Sequence, residues 1–260
     1  MRYRILLMGA PGSGKSQAII DLARYNPDSK VVAFDYQDGI RPLLADLGDE
    51  VPNLDPHLIH GEPLEAWPQF KVECKQARVD YGEGDWICFD GSGLWWDLVK
   101  GWQVQRKYGV DLADFLADKA AAAQAAKPGK KALGFGGLET EDWEVIRAQY
   151  YTTIPQTLGA GCQANVLVTA LAKDVGSWQK DGETVYLEPS LPPMYKRLGI
   201  KPEGEKGLTS QVDYVLQVEH PSEAKWKLRG LGKRGSRAEF AWKDITAQSV
   251  VDVFKEVMDG

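Results

Sequence analysis

The sequence is poor in cysteine and histidine, has no excess of positive charge and contains no long apolar run, and each shortage removes a class of function. Among 260 residues only Cys74, Cys88 and Cys162 are cysteines. They lie far apart, without C-x-x-C spacing, which argues against a disulfide framework or a zinc site and fits a reducing cytoplasm. No run of about 18 apolar residues occurs, so no membrane span is expected. The opening residues 2–8 are too short for a signal peptide and lead straight into a glycine turn. Lysine and arginine total 31 against 37 acidic residues, a net charge of −6, so any nucleic-acid contact must come from local basic patches. His57, His60 and His220 have no evident partner in the sequence and no assigned role, and no internal repeat is visible.

What is present is a phosphate-binding pattern near the start. Gly9-Ala10-Pro11-Gly12-Ser13-Gly14-Lys15-Ser16 satisfies G-x-x-x-x-G-K-[ST] at every required position, between an apolar strand and a helix. Composition alone would produce such a pattern in about one random chain in a hundred. Small residues are needed because the backbone must wrap phosphates closely and aim N–H groups at them, with the positive end of the next helix behind. The expected ATP-binding set is Gly9, Pro11, Gly12, Ser13, Gly14, Lys15, Ser16 and the following Gln17. Lys15 is expected at the β/γ-phosphates and Ser16 on Mg²⁺.

Strands and helices then alternate. Residues 3–8 read as a buried strand, 15–25 as a helix stopped at Asn26-Pro27, and 31–34 as a second strand. A loop-rich region with prolines at 42, 52, 56, 63 and 68 precedes a helix over 69–80. A third strand over 86–89 ends on Asp90, and 94–108 reads as a tryptophan-rich amphipathic helix. Residues 118–137, alanine-rich and then lysine- and glycine-rich, read as a mobile excursion. A long helix over 141–158 leads to a fourth strand at 165–170. Beyond it come a hairpin around Asp181-Gly182, a proline-rich stretch over 188–202, three short antiparallel strands at 212–219, 225–231 and 238–242, and a last helix over 246–258. The pattern predicts an α/β fold with a mostly parallel sheet, helices on both faces and a C-terminal antiparallel extension, as one domain over 1–260. Two aspartates end buried strands where open sheets bind ligands. Asp90 is assigned as the metal carboxylate because its strand comes later, as in P-loop ATPases with an extra strand beside the phosphate-loop strand. Asp35 is the other candidate.

Together, the phosphate loop, the segment Phe34-Asp35-Tyr36-Gln37-Asp38-Gly39, the Asp90 strand, residues 166–170 and the basic C-terminal hairpin resemble the RecA/RadA-like recombinase core. The closest likeness is to the short phage-encoded AAA-type ATPases of that class. The resemblance covers most of the chain and is specific at the phosphate loop. It implies a residue activating the attacking water after the second strand, and the register puts Gln37 where recombinases carry glutamate. Glutamine orients a water but cannot accept its proton, which leaves Asp35 and Asp38 as alternatives. It also implies a γ-phosphate sensor at Thr169, with Lys173 close behind. Six cations occur without one acid between Lys225 and Arg237. Of these, Lys233, Arg234 and Arg237 resemble the cations that reach a neighbouring subunit's ATP in the family, although the usual spacing of the pair is not reproduced.

In that class single-stranded DNA lies along the axis of a ring or filament, held by two loops that correspond to 91–139 and 173–197. The first contains Lys127, Lys130 and Lys131 with Trp95, Trp96 and Trp102; the second contains Lys173, Lys180, Lys196 and Arg197 with Trp178 and Tyr195. Phosphate neutralisation with base stacking suits single strands, although tryptophans at helical spacing, such as Trp95, Trp96 and Trp102, are more often core, which makes Trp178 beside the expected hairpin tip the better stacking candidate. The expected function is that of a Mg²⁺-dependent ATPase acting on single-stranded DNA in phage recombination, annealing or replication, as a homo-oligomer with nucleotide near the subunit interface. A nucleotide or small-molecule kinase is an alternative, although residues 118–137 carry no arginine for a lid. An ATP-driven motor or assembly switch without DNA is another.

Overall fold

The computed structural model describes residues 2–48, 50–126, 138–180, 183–186, 188, 191, 193–205, 207–222, 225–231, 239–245 and 250. Its first half is built of strand–helix units: β1 (Arg4–Gly9), α1 (Lys15–Tyr25), β2 (Val31–Asp35), α2 (Ile40–Leu47), β3 (Leu54–Leu58), α3 (Pro63–Asp80), β4 (Trp86–Phe89) and α4 (Ser92–Tyr108). Three helices follow, α5 (Leu112–Ala126), α6 (Thr140–Tyr151) and α7 (Ile154–Leu158), before β5 (Asn165–Asp174). The remainder is β6 (Ser177–Lys180), β7 (Glu183–Tyr186), α8 (Pro193–Leu198), β8 (Ile200–Pro202), β9 (Tyr214–Ser222), β10 (Lys225–Leu231) and β11 (Glu239–Asp244).

The main sheet runs β11-β10-β9-β1-β5-β4-β2-β3, with β8 added to the tail of β5. From β9 to β3 every pairing is parallel, and β10 and β11 extend the sheet antiparallel. The fold is therefore mixed α/β with a mostly parallel central sheet and a C-terminal antiparallel extension. Continuous apolar runs explain the parallel part, since each central strand is buried on both faces. Alternate residues of β1 feed two cores: Leu6 and Met8 pack with Phe70, Trp95 and Tyr150, whereas Ile5 and Leu7 pack with Ile19, Leu22 and Trp86 on the α1 side. The three cysteines are free and buried.

Proline decides where the expected boundaries move. The region expected as loop holds α2, with Pro42 in its first turn, and the edge strand β3, with Pro56 inside it; an edge tolerates a missing N–H. The helix expected from 69 begins at Pro63, a residue suited to a first turn, and continues through Pro68. The single helix expected over 141–158 is two helices, because Pro155 has no N–H to carry the ladder across Thr152-Thr153. Thr153 Oγ1 instead donates to Tyr150 O at 2.6 Å. The excursion expected over 118–137 is helical as far as Ala126, and residues 127–137 lie outside the described part, as does all but one residue of the helix expected over 246–258. No helix among the described residues is long and apolar enough to cross a membrane.

At the start of α6, buried Asp142 gathers four donors. Gln103 Nε2 (3.0 Å) and Lys107 Nζ (2.9 Å) reach Oδ1, while the Tyr108 hydroxyl (2.8 Å) and the Glu139 N–H (3.1 Å) reach Oδ2. Burial pushes this carboxyl up, but the hydrogen bonds outweigh it and hold it at about 2. The folded value lies below the unfolded one of about 3.9, so the stabilisation is complete above that pH and disappears as pH falls toward the folded value. Asp142→Asn is expected to destabilise the protein by about 1–3 kcal/mol at neutral pH. It should also flatten the acid limb of the urea midpoint between about pH 4 and pH 2; an unchanged acid limb would remove Asp142 from this role.

Candidate functional site

The chain leaves β1 at Gly9, where no side chain fits: a Cβ would stand 2.3 Å from Ser13 Oγ and 2.6 Å from Val218 O. Gly12 and Gly14 have φ of 71° and 87°, the left-handed region that glycine enters without cost. Residues 10–14 thus curl into a cradle, and α1 starts at Lys15 with no side chain capping its N–H groups. Those N–H groups and the positive end of the helix are the anion-binding element that the sequence predicts. Ser13 is buried, and its Oγ has no hydrogen-bond partner among the described residues. Pro11 is exposed at the loop, and Gln17 is turned along the helix to Asp21 at 2.9 Å.

Lys15 Nζ donates to two carbonyls of its own loop, Gly9 O at 3.1 Å and Ala10 O at 2.7 Å. Burial lowers the affinity of this amine for its proton, and the Asp90 carboxylate partly restores it. The Ser16 hydroxyl donates to Asp90 Oδ2 at 2.6 Å, the Thr169 hydroxyl donates to Asp90 Oδ1 at 2.5 Å, and the Gly91 N–H donates to Thr169 Oγ1 at 2.8 Å. These contacts follow from topology. β5 lies between β1 and β4, so Thr169, in register with Leu7 of β1, stands between the phosphate loop and the end of β4. This is the extra strand expected beside the phosphate-loop strand. Burial raises the Asp90 pKa, opposed by the hydrogen bonds from Ser16 and Thr169 and by Lys15, and assisted by the charge of Asp35.

A divalent ion would find one hydroxyl and one carboxylate here, Ser16 and Asp90. Among the described residues no group of three or more His, Cys, Asp or Glu side chains converges. That small protein donor set suits magnesium, which keeps waters and takes phosphate oxygens, rather than an ion needing a full protein cage.

The segment after β2 divides its three polar candidates. Asp35 is buried, and both oxygens are taken by backbone donors, Oδ1 by Gln37 N and Oδ2 by Ile40 N, each at 2.9 Å. These two bonds shape the turn into α2. Asp38 adopts a left-handed φ of 54° and pairs with Arg41 at 2.7 Å on the surface, and Gln37 is exposed beside it. The turn nevertheless sits over Ser16 and Asp90: a Cβ on Gly39 would be 4.0 Å from both Asp90 Oδ2 and Ser16 Oγ.

Other expected residues scatter. Lys233, Arg234 and Arg237, like Lys127, Lys130 and Lys131, lie outside the described residues. Trp95 and Tyr195 are core residues, Trp96 and Trp102 pack against the same core, and Lys173 is paired with Glu203. Of these, Lys173 stays on the surface, its side chain 56% exposed. The structure instead joins one residue from each of two basic segments. Arg197 of α8 and Arg229 of β10 line an open cleft of about 480 Å³ with Trp242 of β11. Arg229 donates to Gln217 Oε1 and lies 4.6 Å from the Trp242 ring centre. The basic run of the C-terminal hairpin was the visible signal; the pairing of β10 with β11 that brings Trp242 to it was not. Two histidines without evident partners also find them: His57 Nε2 lies 2.6 Å from Glu73, and His220 stacks on Trp226 at 4.0 Å.

No protein-family model and no curated protein matches the chain. Among solved structures, the chain is similar to the crystal structure of the RadB recombinase, with 10% identity, a TM-score of 0.45, and coverage of 95% of this chain and 89% of that one.

Thr169 supports both Asp90 and the Gly91 N–H, so Thr169→Val is expected to cost about 1–3 kcal/mol in the absence of nucleotide. Thr169→Ser, which keeps the hydroxyl, should recover most of that loss. Denaturant midpoints of the three proteins provide the check, and equal midpoints for valine and serine would exclude the hydrogen-bonded role.

Proposed function

We propose that residues 1–260 form one RecA-like P-loop ATPase domain that hydrolyses Mg²⁺-bound ATP and acts on single-stranded DNA in recombination, annealing or replication. The observation that carries the ATPase reading is the convergence of Lys15, Ser16, Asp90 and Thr169 at the carboxyl edge of three neighbouring parallel strands. In this reading Lys15 moves from its neutral loop carbonyls to the β- and γ-phosphate oxygens, acceptors that also carry negative charge. The N–H groups of residues 12–16 hold the phosphates in line, and the Ser13 hydroxyl gains the acceptor it lacks. Ser16 and Asp90 would hold magnesium, which would supply positive charge against the phosphates. Thr169, already bonded to Asp90, reports the state of the terminal phosphate to the β5 tail. Gln37, exposed next to the fixed Asp35, orients the attacking water, and Asp38 stands beside it. Lys233, Arg234 and Arg237 are proposed to act on a neighbouring protomer's nucleotide within a ring or filament.

Single-stranded DNA is assigned to the Arg197–Arg229–Trp242 cleft, where two cations and an indole provide phosphate neutralisation and a stacking face. Trp242→Ala is expected to weaken binding of an oligothymidine by about tenfold. Arg197→Ala should lower the salt slope of log K by about one.

The deciding experiment is ATP hydrolysis measured with and without single-stranded DNA at two salt concentrations. Stimulation at low salt that fades at high salt is expected, and Lys15→Ala should reduce turnover at least about a hundredfold. Absence of any DNA effect at low salt would remove the DNA reading and leave the ATPase. Phosphoryl transfer to a nucleoside monophosphate in place of hydrolysis would favour a kinase.

A further inference from the structure

The metal-binding pair and the sensor threonine all lie on one side of the phosphate loop, the side of β5 and β4. The strand on the other side of β1 is β9. Its register pairs Val218 with Gly9, so residues 219–222 continue beyond the carboxyl end of β1 and wall the loop on that flank. β10 then returns antiparallel and places Trp226 beside the loop: a Cβ on Gly14 would be 3.1 Å from Trp226 Nε1 and 3.4 Å from its Cδ1. His220 lies flat on the indole, with ring centres 4.0 Å apart and an interplanar angle of 8°. Its Nε2 is buried without a hydrogen-bond partner among the described residues. Trp226 also packs against the apolar cluster of the α1 face.

A triphosphate lying in this loop has a direction. Its terminal phosphate must face Ser16 and Asp90, so the α-phosphate and the nucleoside leave on the β9 flank. We propose that the His220–Trp226 stack is the nucleobase platform of this site, receiving the purine ring of ATP against its exposed rim. The inference rests on the P-loop reading above and adds residues to it. Two aromatic rings already aligned present the base with a rigid apolar surface at little ordering cost. Ordinary packing would explain Trp226 against the α1 core, but it leaves two facts aside: the indole edge meets the glycine that precedes Lys15, and a buried imidazole nitrogen is left unpaired beside it.

The test compares ATP with inorganic triphosphate, both with magnesium, by calorimetry on the wild-type chain, Trp226→Ala and His220→Ala. Both variants are expected to bind ATP about tenfold to a hundredfold more weakly while triphosphate affinity stays within about twofold, since stacking is lost and phosphate contacts are kept. Unchanged ATP affinity in both variants, with triphosphate still bound, would overturn the platform and leave the phosphate loop intact. An equal loss of both ligands in His220→Ala, whose ring does not touch Gly14, would also overturn it, because the stack would then be shaping the loop. If the wild-type chain binds neither ligand, the P-loop reading itself falls.

Discussion

The site depends on how one half-buried carboxylate is satisfied. Asp90 lies at the water-poor edge of the sheet, where an unpaired charge would be expelled or neutralised. Two hydroxyls prevent that, Ser16 from the first turn of α1 and Thr169 from the neighbouring strand. Its backbone is fixed as firmly: Asp90 N donates to Phe34 O, and Asp90 O accepts from Trp95 Nε1. Trp95 in turn stacks on Phe70 with centres 3.9 Å apart, inside the larger core. The position of the carboxylate is thus set by aromatic packing several residues away, and the tryptophan-rich start of α4 is part of the site's scaffold.

The same economy governs Lys15. An ammonium partly withdrawn from water needs acceptors, and the loop provides two of its own carbonyls. The groups suited to phosphate and cation hold one another in reserve: lysine on carbonyls, serine hydroxyl on carboxylate. Binding at such a site exchanges hydrogen bonds instead of creating them from solvated groups, which limits the desolvation cost of closing on a polyanion.

Much of this was legible in the sequence because the responsible signals are local. A glycine pattern that needs left-handed φ at residues 12 and 14, apolar runs ending on Asp35 and Asp90, and a threonine one position before the end of 165–170 are all properties of a few adjacent residues. The strand order was partly legible, since assigning Asp90 to the metal presupposed a strand between it and the loop. Long-range register was not. The meeting of Arg197, Arg229 and Trp242 needs the β9–β10–β11 ladder, and the approach of Trp226 to Gly14 needs the parallel pairing of β9 with β1. Proline misled in the opposite direction, being read as loop at Pro42, Pro56 and Pro68, where a first turn, a sheet edge and a helix able to lose one hydrogen bond all accept it.

Asp35 shows why residue type at a strand end does not settle a role. From sequence both it and Asp90 are acidic residues closing apolar strands, told apart only by the order of those strands. In the fold Asp90 is held by side-chain hydroxyls, which can rotate away when a cation or phosphate arrives, whereas Asp35 is held by two main-chain N–H groups that define the entry to α2. Those two bonds tie the Asp35 carboxylate to the turn bearing Gln37 and Asp38. Asp35 still acts at a distance, because its charge raises the proton affinity of Asp90 and so adds to the negative field at the Ser16 hydroxyl. Two neighbouring carboxylates, one held by main-chain N–H groups and one by side-chain hydroxyls, make a cation the natural complement of this edge of the sheet.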